Sequence, residues 1–127
     1  MTKIMIVDDE QDLLDTMGMI LELHGYHVVK VADGADAVTY AILEQPKLIL
    51  LDVMLPHRTG WALCRELLNN PRTAAIPIVI VSARFQQEDV KKGLEAGAKD
   101  YLIKPFALEE LMATVARWAP KESPTAV

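Results

Sequence analysis

The sequence is poor in the features that mark several large classes of protein. A single cysteine, Cys64, among 127 residues rules out an internal disulfide, so this is not a small stapled domain of an oxidising compartment. A lone cysteine of this kind reads as a buried small hydrophobe, and a reducing cytoplasm is the expected setting. The six glycines are scattered, and neither a G-x-G-x-x-G fingerprint nor a phosphate loop occurs, which leaves nucleotide binding without support. His24, His27 and His57 with that one cysteine give no zinc spacing. Positive charge is also scarce. Thirteen basic residues face 18 acidic ones for a formal net charge of -5, with no Lys/Arg cluster, which argues against direct nucleic-acid binding by this domain. No apolar run reaches membrane length, and Ile4-Met5-Ile6-Val7 meets Asp8, Asp9 and Glu10 too soon for a signal peptide or a spanning helix.

What the chain does have is aliphatic residues in ordered patterns. Hydrophobic residues make up 51% of it and charged ones 24%, enough for one sizeable core and unlike a disordered segment. Ile4-Met5-Ile6-Val7, Leu48-Ile49-Leu50-Leu51 and Ile78-Val79-Ile80-Val81 are apolar on both alternating faces, as strands covered by helices on both sides are. His27-Val28-Val29-Lys30-Val31 and Asp100-Tyr101-Leu102-Ile103 mix in polar residues, as sheet edges do.

Helical stripes lie between these runs: Leu13, Leu14, Met17, Ile20 and Leu21; Val38, Ala41 and Ile42; Leu63, Leu67 and Leu68; Leu108, Leu111, Met112 and Val115. A fourth helix, about Gln87 to Ala96, has little stripe beyond Val90 and Leu94. Gly93 inside it costs ~1 kcal/mol relative to alanine, which makes this helix a candidate moving part. Gly25 is placed to stop the first helix, Asp33-Gly34 to turn, and Asn69-Asn70-Pro71 to end the third. After Trp118 the periodicity is lost and two prolines enter, so residues 1–118 are expected to form the domain and 119–127 a tail or the start of a linker. A βα unit repeated five times implies an α/β fold: a doubly wound, five-stranded parallel sheet with its site beyond the carboxyl ends of the strands.

At those ends stand Asp8 and Asp9 after the first strand, Asp52 after the third, Ser82 after the fourth and Lys104 after the fifth. Taken singly, each has an ordinary explanation as a helix cap, a loop residue or a solvated amine. Asp52 is the hardest to explain that way, because Leu48-Ile49-Leu50-Leu51 and Val53-Met54-Leu55-Pro56 surround it with apolar residues, where an unpaired charge is costly. Carboxylates converging on one rim repel each other by ~4 kcal/mol per pair at 4 Å and an effective dielectric of 20. A hard divalent cation such as Mg2+ is the natural remedy, and it also binds phosphate oxygens. A carboxylate can act as a nucleophile toward phosphorus, with a metal and a lysine neutralising the transferred group and a hydroxyl bonding one of its oxygens. Asp52, Mg2+, Lys104 and Ser82 are the parts for that step.

Four motifs in order carry a family resemblance: Ile6-Val7-Asp8-Asp9-Glu10; Leu51-Asp52-Val53-Met54-Leu55-Pro56 with Gly60; Val81-Ser82-Ala83; and Gly97-Ala98-Lys99-Asp100-Tyr101-Leu102-Ile103-Lys104-Pro105-Phe106. Over about residues 3 to 118 the chain resembles the receiver domain of bacterial two-component response regulators. The resemblance implies the flavodoxin-like strand order 2-1-3-4-5. It also implies that Asp52 accepts phosphate from the phosphohistidine of a sensor histidine kinase or a phosphotransfer protein. Asp9, Asp52 and the backbone carbonyl of Met54 would ligate Mg2+, with Asp8 acting through water. Lys104 would pair with the phosphoryl group, Ser82 would swing toward it, and Tyr101 would move inward behind Ser82. That movement would reshape a face built from the fourth helix, fifth strand and fifth helix, through which the domain addresses a downstream effector domain or protein. A homodimer through the same face would involve residues such as Lys91, Asp100, Glu110 and Arg117. A cis peptide at Lys104-Pro105 is a further family trait.

Two departures stand out. His57-Arg58-Thr59 precedes Gly60 where many members carry a small or acidic residue, placing two potential cations near an anionic site and suggesting discrimination among kinases. Arg84 and Met54 occupy positions that tune phosphate lifetime in the family, and Arg84 is expected to shield or hold the phosphoryl group. Two other classes of function compete with a phosphorylation switch. An aspartyl phosphatase would need a second acid two residues past its nucleophile, where this chain has Met54. A degenerate receiver serving only as a binding module would have no reason to keep Asp8, Asp9, Asp52, Ser82 and Lys104 together. A cytoplasmic switch with no turnover of an external substrate is therefore the expected function.

Overall fold

The computed structural model describes residues 2–55, 58–84 and 86–121, with only the backbone of Arg58. Five strands, β1 (Lys3–Val7), β2 (His27–Val31), β3 (Leu48–Leu51), β4 (Ile78–Ser82) and β5 (Asp100–Ile103), alternate with five helices. The helices are α1 (Gln11–Leu23), α2 (Ala37–Glu44), α3 (Gly60–Leu68), α4 (Gln87–Glu95) and α5 (Leu108–Trp118). All strand pairs in the sheet are parallel, and its order is β2-β1-β3-β4-β5, the expected 2-1-3-4-5. The cis peptide at Lys104-Pro105 is present.

The apolar runs on both faces of β1, β3 and β4 have a direct structural counterpart. Met5, Val7, Ile49, Leu51, Ile78 and Ile80 enter one core with Ala37 and Ala41 of α2 and Leu63 and Leu67 of α3. Their alternate neighbours Ile4, Ile6, Leu48, Leu50, Val79 and Val81 enter the other core with Leu14, Met17 and Leu21 of α1 and Leu111 and Val115 of α5. The two-residue repeat of a strand sends successive side chains to opposite faces, so every position must be apolar. Cys64 is fully buried, and burial pushes its thiol up to about 11, in keeping with a packing residue.

Gly93 has a role beyond its cost in helix propensity. It is the buried residue of α4, and a Cβ there would come within 2.8 Å of Ile80 Cδ1, so its bareness lets the helix lie close to the sheet. Two small elements carried no periodic signal. Gly34–Asp36 forms a 3-10 turn whose Ala35 N–H donates to the Asp33 carboxylate at 2.9 Å, and Met54–Leu55 pairs antiparallel with Arg58–Thr59. The Thr59 hydroxyl accepts from the N–H of Ala62 at 3.1 Å and caps α3. Past Trp118, Ala119 is still buried and Lys121 lies 5.0 Å from the Tyr26 ring centroid, so the first tail residues pack on the domain. Residues 122–127 of the expected tail lie outside the described residues.

Candidate functional site

Sheet register assembles the rim. Val7 pairs with both Val31 and Leu51, Leu51 pairs with Ile80, and Ser82 pairs with Ile103, so the residues that follow emerge side by side. The ladder continues one step further. The N–H of Asp8 donates to Val31 O at 3.1 Å, that of Asp52 to Val7 O at 3.0 Å, and that of Lys104 to Ser82 O at 2.8 Å. Three charged residues are thereby fixed by main-chain bonds before any side-chain contact is made.

The side chains of Asp8 and Asp52 are 3% and 4% exposed. Asp8 Oδ1 accepts from the N–H of Glu10 at 2.9 Å, and Asp52 Oδ1 accepts from the N–H of Met54 at 3.0 Å. Their other oxygens face Lys104, whose Nζ lies 2.9 Å from Asp8 Oδ2, 3.4 Å from Asp52 Oδ2 and 3.7 Å from Glu10 Oε1. Asp8, Glu10 and Asp52 each bring an oxygen within 4.8 Å of the others. Among the described residues, three carboxylates around one ammonium leave negative charge uncompensated, and hard oxygen donors so arranged fit a divalent cation.

The titration of the pair reflects this imbalance. Burial pushes Asp52 above the usual carboxylate range, and the Met54 N–H and the Lys104 charge offset it only in part. Burial opposes the charge on Lys104 too, but the hydrogen bond it donates to Asp8 and the charges of Asp52 and Asp8 outweigh it and hold the ammonium above its ordinary value. One lysine gains from two acids, whereas each acid has only a share of one lysine.

Asp9 is exposed and is not one of the three grouped acids, whereas Glu10 is. Glu10 is the member of this cluster that the sequence pattern does not single out. Its signal is the i, i+2 spacing from Asp8 across a turn, which any solvated acidic run shares. Gly60 explains why the loop can fold back on the site: its N–H donates to Val53 O at 2.9 Å, and a Cβ there would collide with the Asp52 carbonyl and come within 2.7 Å of Val53 Cα.

Ser82 is fully buried, and its hydroxyl accepts from the N–H of Arg84 at 3.1 Å. The Tyr101 hydroxyl donates to Arg84 O at 2.6 Å, and burial raises its pKa. The Arg84 guanidinium is paired with Asp89 of α4, Nε to Oδ1 at 3.0 Å, with Nη1 3.9 Å from Met54 Sδ. The Met54 side chain is largely exposed. His57 and the side chain of Arg58, the two expected loop cations, lie outside the described residues. Beside the rim a groove of about 460 Å³ opens between α1 and the loop after β5, lined by Glu10, Leu13, Met17, Lys104 and Phe106 among others.

A parallel five-stranded sheet in this order, with buried acids and a lysine at its carboxyl edge, defines a class of phosphoacceptor module. Residues 4–116 match the response regulator receiver domain family, and the chain belongs to it. It is 41% identical over 115 residues to the DNA-binding dual master transcriptional regulator RpaA of Synechocystis sp.. That match covers 91% of this chain and 48% of the regulator, so the chain spans about half the length of that relative. The BeF3-activated N-terminal receiver domain of Klebsiella pneumoniae RstA superposes with a TM-score of 0.87 at 30% identity, covering 94% of this chain and 99% of that one. The receiver domain of a sensor histidine kinase from Pseudomonas aeruginosa, solved with a magnesium ion in its active-site cleft, gives 0.84 at 34% identity over 92% and 96%. The chain is thus a response-regulator receiver, a signalling domain of two-component systems. Among the described residues no helix is long and apolar enough to cross a membrane.

Proposed function

We propose that Asp52 is the phosphoryl acceptor of this receiver, with Lys104 as the cation for the transferred group and Ser82 and Tyr101 as the responding pair. The observation that carries this is the lysine ammonium held between the buried carboxylates of Asp8 and Asp52 at the ends of three strands. The Met54 N–H fixes Asp52 Oδ1, which leaves Oδ2 on the Lys104 side to attack phosphorus. The new O–P bond forms as the P–N bond of a phosphohistidine donor breaks, and its electron pair leaves on the imidazole nitrogen. Lys104 then lies next to the phosphoryl oxygens, and the Ser82 hydroxyl can turn from the Arg84 N–H to donate to one of them. Asp52, Asp9 and the carbonyl of Met54, with Asp8 through water, would hold Mg2+, and the proximity of Glu10 to Asp8 and Asp52 adds to the attraction for a cation. When bound, that ion supplies positive charge to the phosphoryl oxygens.

The donor is a sensor histidine kinase or a phosphotransfer protein in the cytoplasm, and the output is an effector domain or protein. The DNA-binding relative, about twice as long as the match, supports an attached effector. We assign residues 1–118 to the receiver and 119–127 to a tail or the start of a linker. With Met54 two residues past the acceptor, no second acid is placed for turnover of an external substrate, so the domain acts as a switch. A homodimer through α4, β5 and α5 would be seen as faster sedimentation once the beryllofluoride adduct forms.

Intact mass after incubation with Mg2+ and a small acyl phosphate tests the acceptor. A gain of one phosphoryl group that needs both the metal and Asp52, and is lost in Asp52→Asn, is the expected result. A folded chain that gains no mass from this donor or from a phosphorylated histidine kinase refutes the assignment.

A further inference from the structure

Arg84 touches both members of the proposed responding pair, Ser82 and Tyr101, and also α4. Its N–H donates to the Ser82 hydroxyl and its carbonyl accepts from the Tyr101 hydroxyl. Its guanidinium pairs with Asp89 in the first turn of α4, lies against Met54 two residues past Asp52, and sits 5.4 Å from the Trp61 ring centroid. Lys92 of α4 lies over the same indole at 4.3 Å, so among the described residues α4 has a polar tie to the β4–α4 loop at its first turn, through Arg84 and Asp89, and a tie to α3 a turn later, through Lys92.

These attachments respond differently to charge at Asp52. A phosphoryl group there adds negative charge two residues before Met54, whose side chain the guanidinium already touches, and would compete with Asp89 for that guanidinium. It also recruits the Ser82 hydroxyl, which then stops accepting the Arg84 N–H. The Lys92 contact involves neither group. From this arrangement, and resting on the assignment of Asp52 as acceptor, we propose that Arg84 is a charge-operated latch. It holds the first turn of α4 through Asp89 while Asp52 is unmodified, and it exchanges Asp89 for the phosphoryl group when Asp52 is phosphorylated. The first turn of α4 is thereby released while Lys92 keeps the rest of the helix on Trp61. The weak apolar stripe of α4, with Gly93 as its buried residue, leaves the helix end dependent on such polar ties.

Amide hydrogen exchange across residues 87–91 of the whole chain, with and without Mg2+ and beryllofluoride, reads the latch, and ¹⁹F resonances of bound fluoride report occupancy of Asp52 independently. In the wild type the adduct is expected to speed exchange in this turn by about two- to fivefold, the range open to one solvent-facing ion pair. Arg84→Ala and Asp89→Asn are expected to exchange at the faster rate from the start and to gain little more from the adduct. The double variant Arg84→Asp with Asp89→Arg restores an ion pair with its signs reversed. It is expected to recover protection in the unmodified chain yet fail to release it, because the anion now at position 84 is not drawn to the phosphoryl mimic. A double variant that releases as the wild type does, or an Arg84→Ala chain with wild-type exchange in both states, overturns the latch while leaving the acceptor assignment intact. Absence of any bound fluoride resonance overturns the acceptor assignment and the latch with it.

Discussion

The Tyr101 hydroxyl donates a 2.6 Å hydrogen bond to the carbonyl oxygen of Arg84, tying β5 to the loop that follows Ser82. Tyr101 is half-buried, and its ring also meets the bare face of α4 at Gly93. Tyr101→Phe keeps the ring packing and removes one neutral hydrogen bond, so it is expected to cost about 1 kcal/mol. In a chain of this size that is a fall of roughly 3–5 °C in melting temperature. A phenylalanine variant that melts with the wild type would show that water replaces this bond at no loss.

Asp52 and Lys104 sit in one cluster but act on stability with opposite signs. Burial raises the pKa of Asp52 above its unfolded value, so its contribution favours the fold while it is protonated and is lost as pH rises through the folded pKa. At pH 7 the ionised carboxylate is therefore a net cost. Asp52→Asn is expected to be more stable than the wild type in metal-free buffer at that pH. The advantage should shrink as pH falls below about 4, where the unfolded carboxyl also holds its proton. Urea titrations at the two pH values check this, and a variant weaker than wild type at pH 7 would mean that the bond to Lys104 outweighs the burial.

For Lys104 the folded pKa is also raised, which for a cation means that its charge stabilises the fold. That stability is fully present below the usual lysine value and is lost as pH rises through the higher folded one. Lys104→Met leaves Asp8 and Asp52 buried without their cation and is expected to cost about 3 kcal/mol at neutral pH, near the low end for a broken buried pair because Asp52, already raised by burial, can take up a proton. Added Mg2+ should return part of the loss through binding to the folded state, seen as a metal-dependent rise in the urea midpoint.

Gly60 and Gly93 both allow close approach, but against different partners. A Cβ at Gly60 meets the backbone of Asp52 and Val53, which cannot move without displacing the proposed acceptor, whereas at Gly93 it meets side-chain atoms of Ile80 and Tyr101. Gly60→Ala is expected to cost about 1–3 kcal/mol and to slow phosphoryl uptake. Gly93→Ala should cost less, offset by ~1 kcal/mol of helix propensity. Equal losses in both variants would refute this ordering.

Local periodicity was enough to determine the five strands of the main sheet and the helices other than α4, but neither the 3-10 turn nor the short Met54–Leu55 pairing. Three runs apolar at every position became the three central strands because alternate side chains feed two cores, and the helical stripes mark the faces that cover them. The strand-end residues Asp8, Asp52, Ser82 and Lys104 were legible for the same reason, since a parallel sheet brings those ends to one edge. Short contacts over long chain separations could not be read this way. The bond between Lys104 and Asp8 spans 96 residues, and which acid the lysine favours depends on sheet register and loop curvature rather than on spacing. The inclusion of Glu10 and the exposure of Asp9 come from the turn that follows β1, and the many contacts of Arg84 come from the packing of α3 and α4 against the β4–α4 loop. Sequence alone therefore determined which groups stand at the rim, because a strand's two-residue repeat and a helix's three-to-four repeat are local properties. Tertiary structure decided which of those groups touch, because contact depends on how elements distant in sequence are set side by side.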